Sequence, residues 1–472
     1  MLFNSQPYIW LFAFTFLTYW LIPQKFRKRL LFVSSFIFYF YSGFAFTIHF
    51  LLVIAVNFFF SLKLWEKKTK GQDTFRLLSF IVILNFLNLA FFKYFYFFLD
   101  SLDFFAGSSS FSEFGKGIHI PLPLAISFYT FQLVALQVDI HRDHVPERIS
   151  SLDYFLFILF FPQLIAGPIM RTTDFLPKLD KPSISFERVK WAIFLILSGL
   201  FKKVVIADNI SGIVQPIFTH PEEYNSLSLY LSMFGFVSQV YCDFSGYTDI
   251  ARGSAYLLGY EIPENFRGPF FSPSFREFWG RWHVTLSTWL KDYLYIPLGG
   301  SRGGFWKTQW NSLVTMTLGG LWHGANFGYI IWGAYLGMIL GVERLLGPAD
   351  PKQEKEPRGF SRFWRVTLII HLFAISGIFF RTASAGTASL KLAGEYFKGF
   401  LHFIGGKGIL RWEELLLFVF LAFFWNAVQY YPNLKERIQN RFGWLLPAFS
   451  VLMLLLLGIF GDGGGEFIYF QF

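Results

Sequence analysis

Long apolar runs separated by short polar connections make up most of the chain. They cover residues 7–22, 30–46, 47–64, 77–98, 122–138, 152–169, 190–206, 227–242, 311–326, 327–345, 364–380, 412–430 and 444–460. A run of roughly 20 apolar residues is long enough to cross the hydrocarbon core of a bilayer as a helix. Lipid offers the backbone no hydrogen-bond partners, so helix is the form such runs take. The pattern predicts an all-α polytopic membrane protein. The stretch 243–310 breaks the rule by mixing aromatic rings with charge. In FREFWGRWHVTLSTWLKDYLYIPLGG (275–300), Trp279, Trp282 and Trp289 alternate with Arg276, Arg281 and Lys291, between Pro273 and Pro297. That pattern predicts an amphipathic helix in the membrane interface, on the cytoplasmic side.

Charge in the connections orients the runs. The basic stretches 24–29 (QKFRKR) and 66–76 (EKKTKGQDTFR) are cytoplasmic by the positive-inside rule, which leaves the N-terminus outside. The Ser/Gly-rich connection 100–118 then lies outside and 139–150 inside. The next basic stretch, 171–190, carries Arg171, Lys178, Lys181, Arg188 and Lys190. Basic connections on both sides of 152–169 mean that this run does not cross. Its end, FPQLIAGP, holds Pro162, Gly167 and Pro168, which interrupt helices. Pro121 and Pro123 interrupt the chain before 124–138 in the same way. Broken helices at membrane depth survive only inside protein or against a water-filled cavity, so these segments predict a central cavity. The run beginning at Tyr8 has no basic stretch before it and no small-residue cleavage site after it, and reads as a retained helix. The charged connection 347–363 contains three prolines, and no internal repeat argues for an inverted-repeat transporter.

Composition agrees with the pattern. The 472 residues are 54% hydrophobic and 15% charged, against about 25% charged in an ordinary soluble protein. Mean hydropathy is +0.44. We expect one integral membrane domain over 1–472, with N-terminal helices in 1–100, a core at about 120–345 and C-terminal helices in 364–472. The net charge of +10 belongs to the short basic connections and implies no nucleic-acid partner. Cys242 is the only cysteine, so an intrachain disulfide is excluded. As an acyl-accepting nucleophile it lacks a histidine nearby in sequence. His49, His119, His141, His144, His220, His371 and His402 are scattered without metal-ligand spacing, and no metal site is expected. Phosphate-binding glycine loops and serine-hydrolase elbows are likewise missing from the sequence.

The candidate chemistry centres on His323. It lies in the uncharged run 311–340, and an ionisable group in such a run marks a cavity or reaction path. Gly319 and Gly320 fall on its helical face, so the spacing predicts open space beside the imidazole. A neutral imidazole is a general base near neutral pH, and its activity falls as pH drops below about 6.5. His283, in Arg281-Trp282-His283, reads either as an interfacial residue or as a second functional histidine. Arg276 and Asp292 flank it as positioning groups or as a structural pair. In DFSGYTDIARG (243–253), Asp243 and Asp249 are candidates for substrate contact, and Asp249 is also spaced to pair with Arg252. Gln132, in SFYTFQ, and Asn326, just after His323, could line a path or join helices. The same polar path suits a transporter or channel.

Seven segments, taken together, resemble the membrane-bound O-acyltransferase family, in its bacterial polysaccharide branch. They are PLAISFYTFQ (123–132), FPQLIAGPIMR (161–171), GLFKKVVIADN (199–209), DFSGYTDIARGSAYLLGYEIPENF (243–266), 275–300, LGGLWHGANFGYIIWGAYLG (318–337) and the terminal FIYFQF (467–472). The resemblance implies that His323 is the family's catalytic histidine and that His283 is a second histidine of this branch. It implies a ring of tilted helices around a central tunnel, with re-entrant and interfacial helices. It further implies no bound cofactor, but an acyl thioester donor, acetyl-coenzyme A or another, on the cytoplasmic side. A separate extracytoplasmic esterase-like partner would complete transfer to an exported polysaccharide, with the chain in the bacterial inner membrane among its lipids. Peptidoglycan or teichoic acid are the alternative acceptors.

Overall fold

Each apolar run contains a helix, but the ends differ: Gln24–Phe40 begins six residues before the run 30–46, and Ser226–Leu257 continues fifteen residues past the run 227–242. The computed structural model describes residues 1, 3, 5–107, 109–145, 147–165, 167–347, 357–401, 405–433, 446–460 and 467. Among them the regular elements are helices, apart from one isolated β-bridge between Tyr224 and Lys407. His402, most of the 347–363 connection and the terminal FIYFQF other than Phe467 lie outside the described residues. The chain folds as two units, Met1–Ile196 with Ile250–Pro263, and Leu197–Asp249 with Glu264–Phe472.

The first unit contains α1 (Gln6–Leu21), α2 (Gln24–Phe40), α3 (Phe44–Thr69), α4 (Phe75–Ala106), α5 (Ser110–Lys116), α6 (Ile126–His141), α7 (Ser151–Leu159), α8 (Thr172–Phe175) and most of α9 (Phe186–Leu200). Lipid tails are as apolar as leucine, so polar side chains do much of the work of joining membrane helices. Asn57 of α3 and Asn85 of α4 exchange amide hydrogen bonds at 3.0 and 2.8 Å. Gln137 of α6 donates to the Tyr154 hydroxyl of α7 at 3.2 Å, and Thr15 of α1 donates to Ser34 of α2 at 2.8 Å. The expected break after 152 is present. Ser150 caps α7 by accepting from the Asp153 N–H, and the helix stops at Leu159. The chain then doubles back so tightly that a Cβ on Gly167 would lie 2.5 Å from the Gln163 Cα. Before α6, Ala125 takes a left-handed φ of 62°, so the helix starts only after the two prolines.

In the second unit α9 runs through a π-helical stretch, Phe201–Ala207, into α10 (Asp208–Thr219). There follow α11 (Ser226–Leu257), whose last turns belong to the first unit, α12 (Phe275–Trp279), α13 (Val284–Leu290) and a π turn at Lys291–Tyr295. Next come α14 (Phe305–His323), α15 (Phe327–Leu346), α16 (Gly359–Thr382), α17 (Ser389–Leu401), α18 (Trp412–Tyr430) and α19 (Leu446–Phe460). The stretch 275–300 is not one amphipathic helix. Phe275, Phe278, Trp282, Leu286 and Trp289 recur with helical spacing, but all five are buried in protein. An apolar stripe has the same period whether lipid or protein covers it, and here the covering is protein.

Five helical segments among the described residues are long and apolar enough to cross a membrane: Phe44–Thr69, Phe75–Ala106, Phe327–Leu346, Gly359–Leu401 and Trp412–Tyr430. The other runs give helices that are shorter or more polar, such as the 16 residues of α1 and the 9 of α7.

The helices α14 and α15 meet backbone to backbone. A Cβ on Gly320 would overlap the Tyr329 carbonyl oxygen, and one on Gly333 would overlap that of Met316. A Cβ on Gly337 would lie 3.0 Å from the Leu313 Cα. Small residues at such crossings let membrane helices gain dispersion contacts along their whole length. A Gly320→Ala protein is expected to lose about 1–3 kcal/mol of stability through overpacking. Gly319→Ala meets only the flexible end of Leu290, at 3.0 Å, and should lose less. Thermal inactivation midpoints of both proteins in detergent check the order; equal midpoints would show that the helices are free to part.

Candidate active site

His323 is the last residue of α14 and is 7% exposed. Gly324 follows it in extended conformation and lies under the Tyr329 ring, where a Cβ would overlap ring carbons. Asn326 caps α15: its Oδ1 accepts from the Gly328 N–H and the Ser389 hydroxyl, both at 2.8 Å, and its amide donates to the Gly386 carbonyl at 2.7 Å. These bonds fix the turn that carries His323 out of α14, so Asn326 positions the site by holding the backbone.

There is space beside the imidazole, but Gly319 and Gly320 do not create it. Gly320 is filled by α15, as described above, and Gly319 faces Leu290. The cavity lies instead against Phe236, Val237 and Val240 of α11, Trp282, Trp332 of α15, and Phe373, Ser376, Gly377 and Phe380 of α16. Its volume is about 30 Å³, room for two water-sized groups. The edges of aromatic rings hold the imidazole: its centroid is 5.2 Å from the Trp332 ring, 5.1 Å from Phe380 and 4.9 Å from Trp322, at interplanar angles of 72–89°.

His283 also neighbours the Trp322 indole, with ring centroids 6.0 Å apart. It is 1% exposed and takes a left-handed φ of 43°, a strained conformation for a residue with a side chain. Its Nδ1 is 3.1 Å from Asn265 Oδ1. The Thr285 backbone N–H donates to the same atom at 3.2 Å, which identifies that atom as the amide oxygen. Nδ1 therefore carries the proton, and the lone pair of the ring is on Nε2. His283 lies between α12 and α13, outside the membrane-crossing helices, and burial pushes its pKa down to about 3. It is neutral throughout the ordinary pH range.

The carboxylates of α11 face away from this cavity toward the π-helical stretch. Lys203 reaches Asp243 at 2.6 Å and Asp208 at 2.8 Å, while Lys202 reaches Asp249 at 2.6 Å and the Ser245 hydroxyl at 3.0 Å. Both lysines are buried. Between the pairs, a Cβ on Gly246 would lie 2.7 Å from the Gly199 carbonyl oxygen, so the two backbones cross in contact. Asp243 and Asp249 thus clamp a helix crossing and do not line the cavity, and the partner found for Asp249 is Lys202. Arg276 is exposed on α12, where its backbone N–H donates to Glu343 at 3.2 Å. Asp292 sits half-buried in the π turn, and neither residue lines the cavity. Gln132 belongs to the first unit; its amide donates to the Phe157 carbonyl at 2.8 Å and its carbonyl accepts from Gln163 at 3.3 Å.

Sequence reasoning missed the cavity walls, the role of Asn265 and the two lysines. Adjacent lysines inside the apolar run 190–206 were a usable signal. Phe373 and Phe380 carried none, being two of 66 phenylalanines. Among the described residues no cluster of His, Cys, Asp and Glu could hold a metal ion.

Comparison with known proteins identifies the family of the chain. The model of the membrane-bound O-acyltransferase family matches residues 31–381. The chain is similar to the probable alginate O-acetylase AlgI of Pseudomonas aeruginosa, 36% identical over 389 residues, covering 82% of this chain and 73% of the relative. It is 29% identical to the peptidoglycan O-acetyltransferase of Helicobacter pylori, over 100% of this chain and 98% of that one. It is 33% identical over 235 residues to the teichoic acid D-alanyltransferase of Bacillus subtilis, covering 46% of this chain and 58% of the relative. An all-α, multi-pass membrane protein with these matches, this chain belongs to the membrane-bound O-acyltransferase family and is an O-acyltransferase.

Proposed function

We propose that this protein moves an acetyl group from a cytoplasmic thioester, acetyl-coenzyme A, for O-acetylation of an exported polysaccharide, with His323 as the general base. The observation that carries the proposal is the small cavity against the His323 ring. Its size suits a carbonyl and a methyl group and not a long acyl chain. His323 takes the proton of an acceptor hydroxyl as that oxygen attacks the thioester carbonyl. The tetrahedral intermediate then expels the thiolate, which takes the proton back from the imidazolium. His283, with its lone pair on Nε2, accepts a hydrogen bond and orients a hydroxyl or amide near the reacting group. The curated alginate O-acetylases, at 34–37% identity, support a polysaccharide as acceptor over the peptidoglycan and teichoic acid alternatives. The membrane is the bacterial inner membrane, and an extracytoplasmic esterase-like partner takes the acetyl group onward to the polymer.

His323→Ala is expected to lower acetyl transfer by roughly a hundred- to ten-thousand-fold, the worth of a positioned general base. Purified protein in liposomes with radiolabelled acetyl-coenzyme A inside and acceptor outside gives the rate. A folded variant that transfers at the wild-type rate sinks the assignment.

A second prediction concerns His283. Between pH 6.5 and about 3 the unfolded chain binds a proton at this residue that the native state refuses. Stability is therefore complete above pH 6.5 and declines as pH falls through that window. His283→Gln should flatten the decline, measured as the shift in thermal inactivation midpoint between about pH 7.5 and about pH 5. An undiminished decline in the variant would mean that the native site accepts the proton.

A further inference from the structure

Phe373, Gly377 and Phe380 fall at i, i+4 and i+7 on one face of α16, and all three line the cavity beside His323. The two phenylalanines stand about 10 Å apart along the helix axis. Between them the stripe lacks a side chain. Phe380 is the end next to the imidazole, at 5.1 Å, so the cavity runs along α16 from His323 toward Phe373. Phe236 and Val237 of α11 stand opposite: a Cβ on Gly377 would lie 3.2 Å from the Phe236 ring and 3.6 Å from Val237 Cγ2. Gly377 is thus the glycine whose missing side chain leaves room in the site, a part that Gly319 and Gly320 do not play.

The walls of this gap are braced from behind. The Phe373 ring packs on Phe278 at 4.4 Å and Trp282 at 5.0 Å between centroids. The Phe236 ring packs on Phe218 at 5.4 Å. Rings set against rings have no free rotamer to move into, so an extra methylene pushed against them costs overpacking. The lining is also apolar in character. Ser376, fully buried, spends its hydroxyl proton on the Phe373 carbonyl of its own helix at 2.6 Å. Such a wall favours a small apolar group over a charged one.

We propose that Gly377 and Phe373 select the acyl group of the donor: the gap at Gly377 admits the acetyl methyl, and the Phe373 ring stops a longer chain. The inference rests on the acyl-transfer reading above and names the residues that set its acyl specificity. With the thioester carbonyl beside His323, the acyl chain extends along α16 into the gap. A carbonyl and a methyl fill the volume of about 30 Å³, and a third carbon is pressed against the braced ring. Val237, facing Gly377 from α11, limits the width of the same gap.

Release of coenzyme A from acetyl-, propionyl- and butyryl-coenzyme A by the purified full-length protein tests this. The wild type is expected to use the propionyl donor roughly 10- to 200-fold less well in kcat/KM, the worth of one methylene that a pocket does not accommodate. Phe373→Leu should bring the propionyl donor to within about tenfold of the acetyl donor. Val237→Ala should shift the preference in the same direction. A gain of rate on a longer donor cannot come from misfolding. Gly377→Ala should lose acetyl cleavage, and Val237→Ala added to it should return part of the loss. A wild type that uses all three donors equally, or an unchanged preference in both widened variants, would overturn the assignment. If acetyl still reaches an acceptor in that case, the transfer function stands and the pocket is wrong. If the variants shift the preference as expected yet no acetyl ever reaches an acceptor in liposomes, the transfer function is wrong and the pocket stands. A wild type that cleaves none of the three donors would overturn both.

Discussion

The approach of α14 and α15, backbone against backbone at Gly320 and Gly333, governs the geometry of the histidine site. Inside a bilayer no hydrophobic gradient drives one helix onto another, so close contact has to come from shape. Removing side chains at the crossing brings the helix surfaces together and leaves little freedom in their register. The residues next to the crossing then have no choice of place. Trp332, one position before Gly333, meets the His323 ring edge-on. Tyr329, whose carbonyl fills the Gly320 position, lays its ring over Gly324. Asn326 closes the turn with three hydrogen bonds, and the imidazole is held at the helix end as a consequence.

Charge within the second unit divides by partner. The two lysines of the π-helical stretch meet three aspartates at 2.6–2.8 Å across a crossing of two backbones. Ion pairs of this kind are expensive to bury and destabilising to break, and they hold a register. The histidines follow different rules. His283 is buried and neutral, with its tautomer set by Asn265. His323 is caged by ring edges and opens on a cavity. A cluster of acidic and basic residues in the sequence thus separates into a scaffold and a site, on the basis of who faces whom.

The run at 412–430 became a helix with the same ends, because nothing in it competes with helix. The break after 152–169 was equally plain, since two prolines and a glycine leave the backbone little alternative. The glycines before His323 predict open space that α15 in fact fills, because a missing side chain looks the same in sequence whether the vacancy holds a ligand or a neighbouring helix. The tryptophans of 275–300 were misplaced for a related reason, the period of an apolar stripe being blind to what covers it.

Local chemistry therefore determined, from sequence alone, that this is an all-α membrane protein, where its helices start and fail, and that an ionisable group at position 323 calls for a function. These depend on residues a few positions apart, and on the unforgiving solvent in which they lie. Tertiary structure decided which side of each polar residue is answered by a partner. Asp243 and Asp249 are satisfied by lysines some forty residues away, and the walls of the cavity beside His323 come from α11, α15, α16 and Trp282. Pairing energy depends on distance in space, and in a helical bundle that distance is set by the crossing of segments far apart in the chain.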